Sequence, residues 1–163
     1  MSIKIIRRLK HSQGGESGQS LVEFALSLTV LILIVSGLLD LGRLYYIYVA
    51  LEDGVGEAAL YLSINPACYE PPGAEHPEVP SACADPNNAR WRAIHSGGGM
   101  LDWADVEYVP VVIANPTVTD TVEVTLRYEY EPITPFITRL TGGDPITLRV
   151  HAAEPVVSVR PIH

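Results

Sequence analysis

Charge is scarce in this sequence, and the excess of basic charge is confined to one end. Charged residues make up 18% of the 163. Residues 1–18 hold Lys4, Arg7, Arg8 and Lys10 against Glu16, a net of +3, so the remainder carries −11. Beyond that tip no basic face is left to neutralise phosphates, which argues against nucleic acid as a partner. Cysteine is scarce too. Cys68 and Cys83 form no C-x-x-C pair and no histidine stands at zinc-ligand spacing from them, so neither a metal nor a cofactor is expected. Catalytic patterns are missing as well. His11, His76, His95, His151 and His163 are scattered, none beside a Ser or Cys in a nucleophile motif. Gly97-Gly98-Gly99 lacks the lysine and the strand–loop–helix order of a phosphate-binding loop, and reads as a flexible connector. Glu129 and Glu131, two apart on a predicted strand, share a face and read as solvated surface. No enzymatic activity is expected. Hydrophobic residues at 47% exclude global disorder.

What is present begins with an apolar run. Leu21 to Leu39 contains one ionisable residue, Glu23, and is followed by Asp40 and Arg43. At about 1.5 Å per residue, Phe24–Leu44 covers roughly 31 Å, the thickness of a hydrocarbon core. Tyr45, Tyr46 and Tyr48 then fall at the far interface, where amphipathic rings are enriched. Lys and Arg before the span place the N-terminus inside, against an anionic cytoplasmic leaflet. The pattern does not stop at the membrane surface. Leu44, Ile47, Leu51, Val55, Ala58 and Leu62 continue at three- and four-residue spacing, with Glu52, Asp53 and Glu57 opposite, until Asn65-Pro66.

After the helix, residues 65–84 are rich in proline, glycine and alanine and hold both cysteines. In an oxidising compartment the two would close one loop, worth about 3 kcal/mol in the loop-entropy account; two unpaired thiols are the alternative. Asp85-Pro86 reads as a helix start, Asp as N-cap, with Ala89, Ala93 and Ile94 on the buried side. From Asp105 the period becomes two. Val106–Ile113 predicts one strand, Val118–Tyr130 a second after the turn signal Asn115-Pro116, and Ile146–His151 a third. Ile133–Leu140 predicts a short helical turn, and Val156–Val159 an edge piece after Pro155. The fold class is α+β: a long N-terminal transmembrane helix extending into a small extracytoplasmic domain with an antiparallel sheet of about three strands. Its parts are a leader (1–18), the helix (19–63, with the span at about 24–44), a loop region (64–104) and a β region (105–163).

A carboxylate near the start of an apolar helix is costly, and such residues mark a pairing role. Gly18-Gln19-Ser20-Leu21-Val22-Glu23-Phe24 resembles the type IV pilins and pseudopilins, whose prepilin peptidase cuts after a glycine and leaves a glutamate at the fifth mature position. The resemblance implies a cut between Gly18 and Gln19. The new amine at Gln19 would then pair with Glu23 of a neighbouring subunit, neutralising two charges that would each be expensive alone and fixing the axial register. Ser20-Leu21-Val22-Glu23 is also a capping box, a reading compatible with the first.

A closer resemblance covers residues 18–62. Gly18 to Leu26, Asp40-Leu41-Gly42-Arg43 and Gly56 to Tyr61 are similar to the TadE-like family, the minor pseudopilins of the tight-adherence pilus, and Tyr128–Phe136 resembles that family's closing strands. This implies a prepilin-peptidase substrate acting in pilus assembly or surface adhesion. Its partners would be the bilayer, other pilin or pseudopilin subunits and the assembly machinery. Many relatives have proline within the apolar run, where this chain has Thr29 and Val30; the segment between Asn65 and Asp85 has no family counterpart. Asp40 and Arg43 read either as a local ion pair, three apart on one helix face, or as a contact with a partner helix. Gly37 and Gly42 permit close helix approach outside a G-x-x-x-G spacing. The competing reading is a plain signal-anchored extracytoplasmic binding domain with its leader retained. Release by signal peptidase is weakest, since Tyr48-Val49-Ala50 is a poor cleavage site.

Overall fold

Asn65-Pro66 is the first firm helix stop after the apolar run, and helix α1 extends up to it, over Glu16–Ile64. The computed structural model describes residues 16–158 other than 74, 100, 112, 114, 115 and 141. The leader through residue 15, Asn115 of the expected turn and Val159 of the expected edge piece lie outside the described residues. By internal contacts the chain divides into two units, the first ending at Leu38 and the second beginning at Leu39.

The described part of the first unit is helix. Its apolar side chains, Leu21 through Leu38, are exposed nearly all round. Thr29 donates its hydroxyl to the Ala25 carbonyl at 2.9 Å, and the helix is unbroken there.

The second unit is α+β. Ile47, Leu51, Val55, Ala58 and Leu62 of α1 are buried, with Leu44 packed beside them, while Glu52 and Asp53 face solvent. This stripe meets one face of an antiparallel sheet of order β1-β2-β3, formed by Glu107–Pro110, Thr121–Tyr130 and Ile146–Pro155. Register sets Tyr108 opposite Leu126 and Leu126 opposite Val150. Alternation then buries Val122, Val124, Leu126 and Tyr130 beside Leu148 and Val150. The opposite face carries Glu123, Glu129, Thr147 and Arg149 in solvent, so the sheet is covered on one side.

Several boundaries differ from expectation. β2 begins at Thr121 because Asp120 closes a local turn, its Oδ2 accepting from Thr117 N at 2.8 Å. β1 ends at Pro110, though Val111 N still donates to Glu123 O. β3 runs through to Pro155, which sits as the last residue opposite Thr121, where a missing N–H interrupts no further ladder. The residues after it turn away: Val156 N donates to Asp120 O, and Val157 N to Ser63 O at 2.8 Å. Helix α2 is Ala89–Ser96, and its N-cap is Asn88 rather than Asp85. Asn88 Oδ1 accepts from Trp91 N at 2.8 Å, while its Nδ2 donates to Cys83 O and to Asp85 Oδ1. Asp85 thus supports the cap from behind. Helix α3 is Pro135–Leu140, and Gly142 and Gly143, at φ 76° and 90°, supply the left-handed turn into β3.

Cys68 and Cys83 are joined, with S–S 2.01 Å and Cα–Cα 5.1 Å. Ala89 N donates to Cys68 O at 2.9 Å, so the bridged segment seats the start of α2. The stretch read as an excursion also fills core: Tyr69 and Val79 are buried, and Tyr108 donates its hydroxyl to Tyr69 O.

Candidate assembly and membrane interface

In the first unit, Gly18, Gln19, Glu23 and Phe24 are all exposed. Gln19 and Glu23 lie one turn apart on α1, and Gln19 Nε2 donates to Glu23 Oε1 at 3.2 Å. The capping-box alternative does not hold here. The helix already includes Glu16, which puts Ser20 inside it, where its position is not that of an N-cap. What remains is an acid on an apolar cylinder whose surface nothing in its own unit covers. A helix apolar all round needs lipid or other helices as its surroundings. It is a candidate membrane anchor, apolar and long enough to cross a bilayer. A Cβ built on Gly37 would meet nothing within 4 Å, and the same holds for Gly42 in the second unit, so both positions are open to close approach.

Asp40 is held by its own domain. Its side chain is buried, and its carboxylate accepts from Ile133 N at 3.2 Å and from Thr134 N at 2.8 Å. Its backbone carbonyl accepts the Tyr130 hydroxyl at 3.1 Å. The carboxylate is therefore engaged within its own domain and not in an ion pair with Arg43. Arg43 turns its guanidinium over the Tyr130 ring instead, 5.5 Å from the centroid. Domain contacts thus begin at Asp40, inside the stretch assigned to the span. The uncovered apolar segment is Leu21–Leu39, about 28 Å at 1.5 Å per residue, still the thickness of a hydrocarbon core. Of the three tyrosines placed at the far interface, Tyr48 packs on the core, while Tyr45 and Tyr46 are exposed, Tyr46 with its hydroxyl beside Gly98. Tyr130, Ile133 and Thr134 were not singled out from sequence as partners of Asp40, because no local pattern links positions some ninety residues apart.

The tripled glycine is a packing point. A Cβ on Gly97 would stand 2.0 Å from Trp103 Cζ2 and 3.0 Å from Ala50 O, and one on Gly98 2.1 Å from the Tyr46 hydroxyl. Gly54 of α1 meets the same indole, at 2.9 Å. Two glycines from separate elements make room for one tryptophan. Among the described residues, no group of three or more His, Cys, Asp or Glu side chains is placed to hold a metal ion.

These features define a class: a small α+β domain built on one half of a helix whose other half is a candidate membrane anchor. Within that class, the family model described as TadE-like protein matches residues 18–60, the segment that carries Glu23, Asp40 and the buried stripe up to Ala59. No curated protein and no solved structure matches the chain.

Proposed function

We propose that the chain is a minor pseudopilin-like subunit acting in assembly of a Tad or type IV-like pilus and in surface adhesion. On this reading a prepilin peptidase cuts between Gly18 and Gln19, and the mature helix stays in the cytoplasmic membrane with its start inside and its domain outside. The freed amine at Gln19 then meets Glu23 of a neighbouring subunit, and Phe24 packs in the same helix bundle. The observation that carries the reading is the exposed Glu23 on an otherwise apolar, uncovered helix within the segment matched by the TadE-like family. An intramembrane acid facing outward needs a cationic partner, and cleavage would create one a turn away. The domain can remain folded throughout, since its own contacts begin only at Asp40.

The test is the N-terminal residue of the mature protein, read by mass spectrometry of membranes from the native host. A start at Gln19 supports the reading. An intact Met1 overturns it and leaves a plain anchored domain, with Glu23 held by Gln19 of its own helix.

A further inference from the structure

Across the open face of the sheet, Glu107, Arg127 and Arg149 stand in one row on β1, β2 and β3. Arg127 Nη1 lies 3.5 Å from Glu107 Oε2, so its charge is answered. Arg149 is exposed and directly opposite Arg127, and it forms no ion pair among the described residues. Like charges set directly opposite each other are destabilising. The row lacks an acid at its β3 end.

β3 is an edge strand of ten residues, the last in the order β1-β2-β3. Alternation decides which of its backbone groups are free. Glu123 turns its carbonyl toward β1, where it accepts from Val111 N at 2.8 Å. Odd-numbered residues of β2 therefore address β1, and even-numbered ones address β3. Val124 and Leu126 meet Ala152 and Val150, so the N–H and C=O groups of Thr147, Arg149, His151 and Ala153 point away from the sheet. All of these residues are exposed, and none makes another hydrogen bond among the described residues. Little guards this edge against a further strand. It pairs with β2 one-for-one without a bulge, carries no lysine, and has its only proline as the last residue. β1, the other edge, is four residues long and ends on Pro110.

We propose that the free edge of β3 takes up an extended strand of a different protein by strand addition, with an Asp or Glu of that strand opposite Arg149. The outward backbone groups recognise a strand, and the unfinished row Glu107–Arg127–Arg149 specifies the acid. The partner's other face continues the side of β3 that carries Leu148 and Val150, so its residues there are apolar. A second copy of the chain does not meet the requirement. The open-face positions of β3 are Thr147, Arg149, His151, Ala153 and Pro155, so β3 laid antiparallel on itself sets no carboxylate beside Arg149. Neither cleavage of the leader nor the anchor is needed for this docking.

The test pans a phage library of random peptides of about nine residues against the full chain in detergent. Peptides that alternate apolar and polar residues, with an acid among the polar ones, are expected to enrich. Synthesised, they should lose at least about fivefold in affinity for Arg149→Glu, and a peptide with lysine in place of the acid should regain it there. Arg149→Glu sets an acid opposite Arg127, so the variant should fold at least as well, which near-ultraviolet circular dichroism checks. Bound peptide should slow amide exchange at Thr147, Arg149, His151 and Ala153 and leave Leu148 and Val150, already bonded to β2, unchanged. Absence of enrichment, indifference to Arg149→Glu, or protection elsewhere each overturns the proposal. A dimer of the chain alone that protects the same amides also overturns it, since a second copy then fills the edge.

Discussion

Tyr130 donates its hydroxyl to the backbone carbonyl of Asp40 across a separation of ninety residues, at 3.1 Å and fully buried. Together with the two N–H groups on the Asp40 carboxylate, this bond fastens the end of β2 to the helix where the apolar run stops. Hydrogen bonds to a charged acceptor are worth about 1.5–3 kcal/mol each, and a lost partner strands a donor. Asp40→Ala should therefore destabilise the domain by about 3 kcal/mol, and Tyr130→Phe by about 1 kcal/mol. Urea unfolding of the chain in detergent, followed by near-ultraviolet circular dichroism, checks both. Equal, negligible effects would show that the fastening contributes nothing.

The glycines make a paired prediction. Gly97→Ala drives a methyl into Trp103 and should cost about 2 kcal/mol or more by overpacking. Gly56→Ala, in the interior of α1 with nothing within 4 Å of the new methyl, should instead stabilise by about 0.5–1 kcal/mol through helix propensity. Opposite shifts in the unfolding midpoint are the expected signature. Trp103→Leu should recover part of the Gly97→Ala loss, which a general dislike of side chains in that loop would not predict.

Alkali should destabilise the domain. Burial pushes the Tyr69 hydroxyl up to about 12, helped by its hydrogen bond to Glu78 and by the charges of Glu78 and Glu70. Burial likewise raises Tyr108, with Glu70 adding and Arg90 opposing. A phenol whose folded pKa lies above its unfolded value, near 10, contributes no pH dependence below that value. Above it the unfolded chain loses a proton that the folded chain keeps, so stability falls as pH rises from about 10 toward 12. Urea midpoints measured across that window should drop, and the drop should shrink in Tyr69→Phe and Tyr108→Phe.

Glu23→Gln separates the pairing role from helix integrity. The amide retains a hydrogen-bond acceptor for Gln19 one turn away, so helix content and membrane levels should be unchanged. Pilus assembly should fall steeply if a neighbour's amine needs the charge. Normal assembly at normal protein level would falsify the pairing.

What was legible in the sequence followed from periodicity. The stripe Ile47, Leu51, Val55, Ala58 and Leu62 and the alternation Val122, Val124, Leu126 name the two faces that meet, because each element has a fixed period and one partner. The outer end of the expected span overlaps the packing of the domain for a related reason. Leu41 and Leu44 look equally apolar in sequence, yet Leu44 packs on the domain core while Leu41 stays exposed. The cap of α2 was misassigned because Asp85-Pro86 and Asn88 both carry start signals, and the choice depends on Cys83 O and Asp85 lying within reach of one amide. Trp103 and Gly97 gave no signal of meeting, since a glycine kept free of a side chain by a distant indole looks like any loop glycine.

The return of β2 along α1 has a mechanical consequence. The strand is attached near Asp40 at one end and, through Asp120, Val156 and Val157, near Ser63 at the other, with Leu126 against Gly54 between them. A pull along α1 would then act as shear across the whole buried seam, and every contact would resist at once instead of opening in turn. The domain behaves as a splint on that stretch of helix. Bending or unwinding between residues 40 and 63 is possible only by first stripping off the sheet.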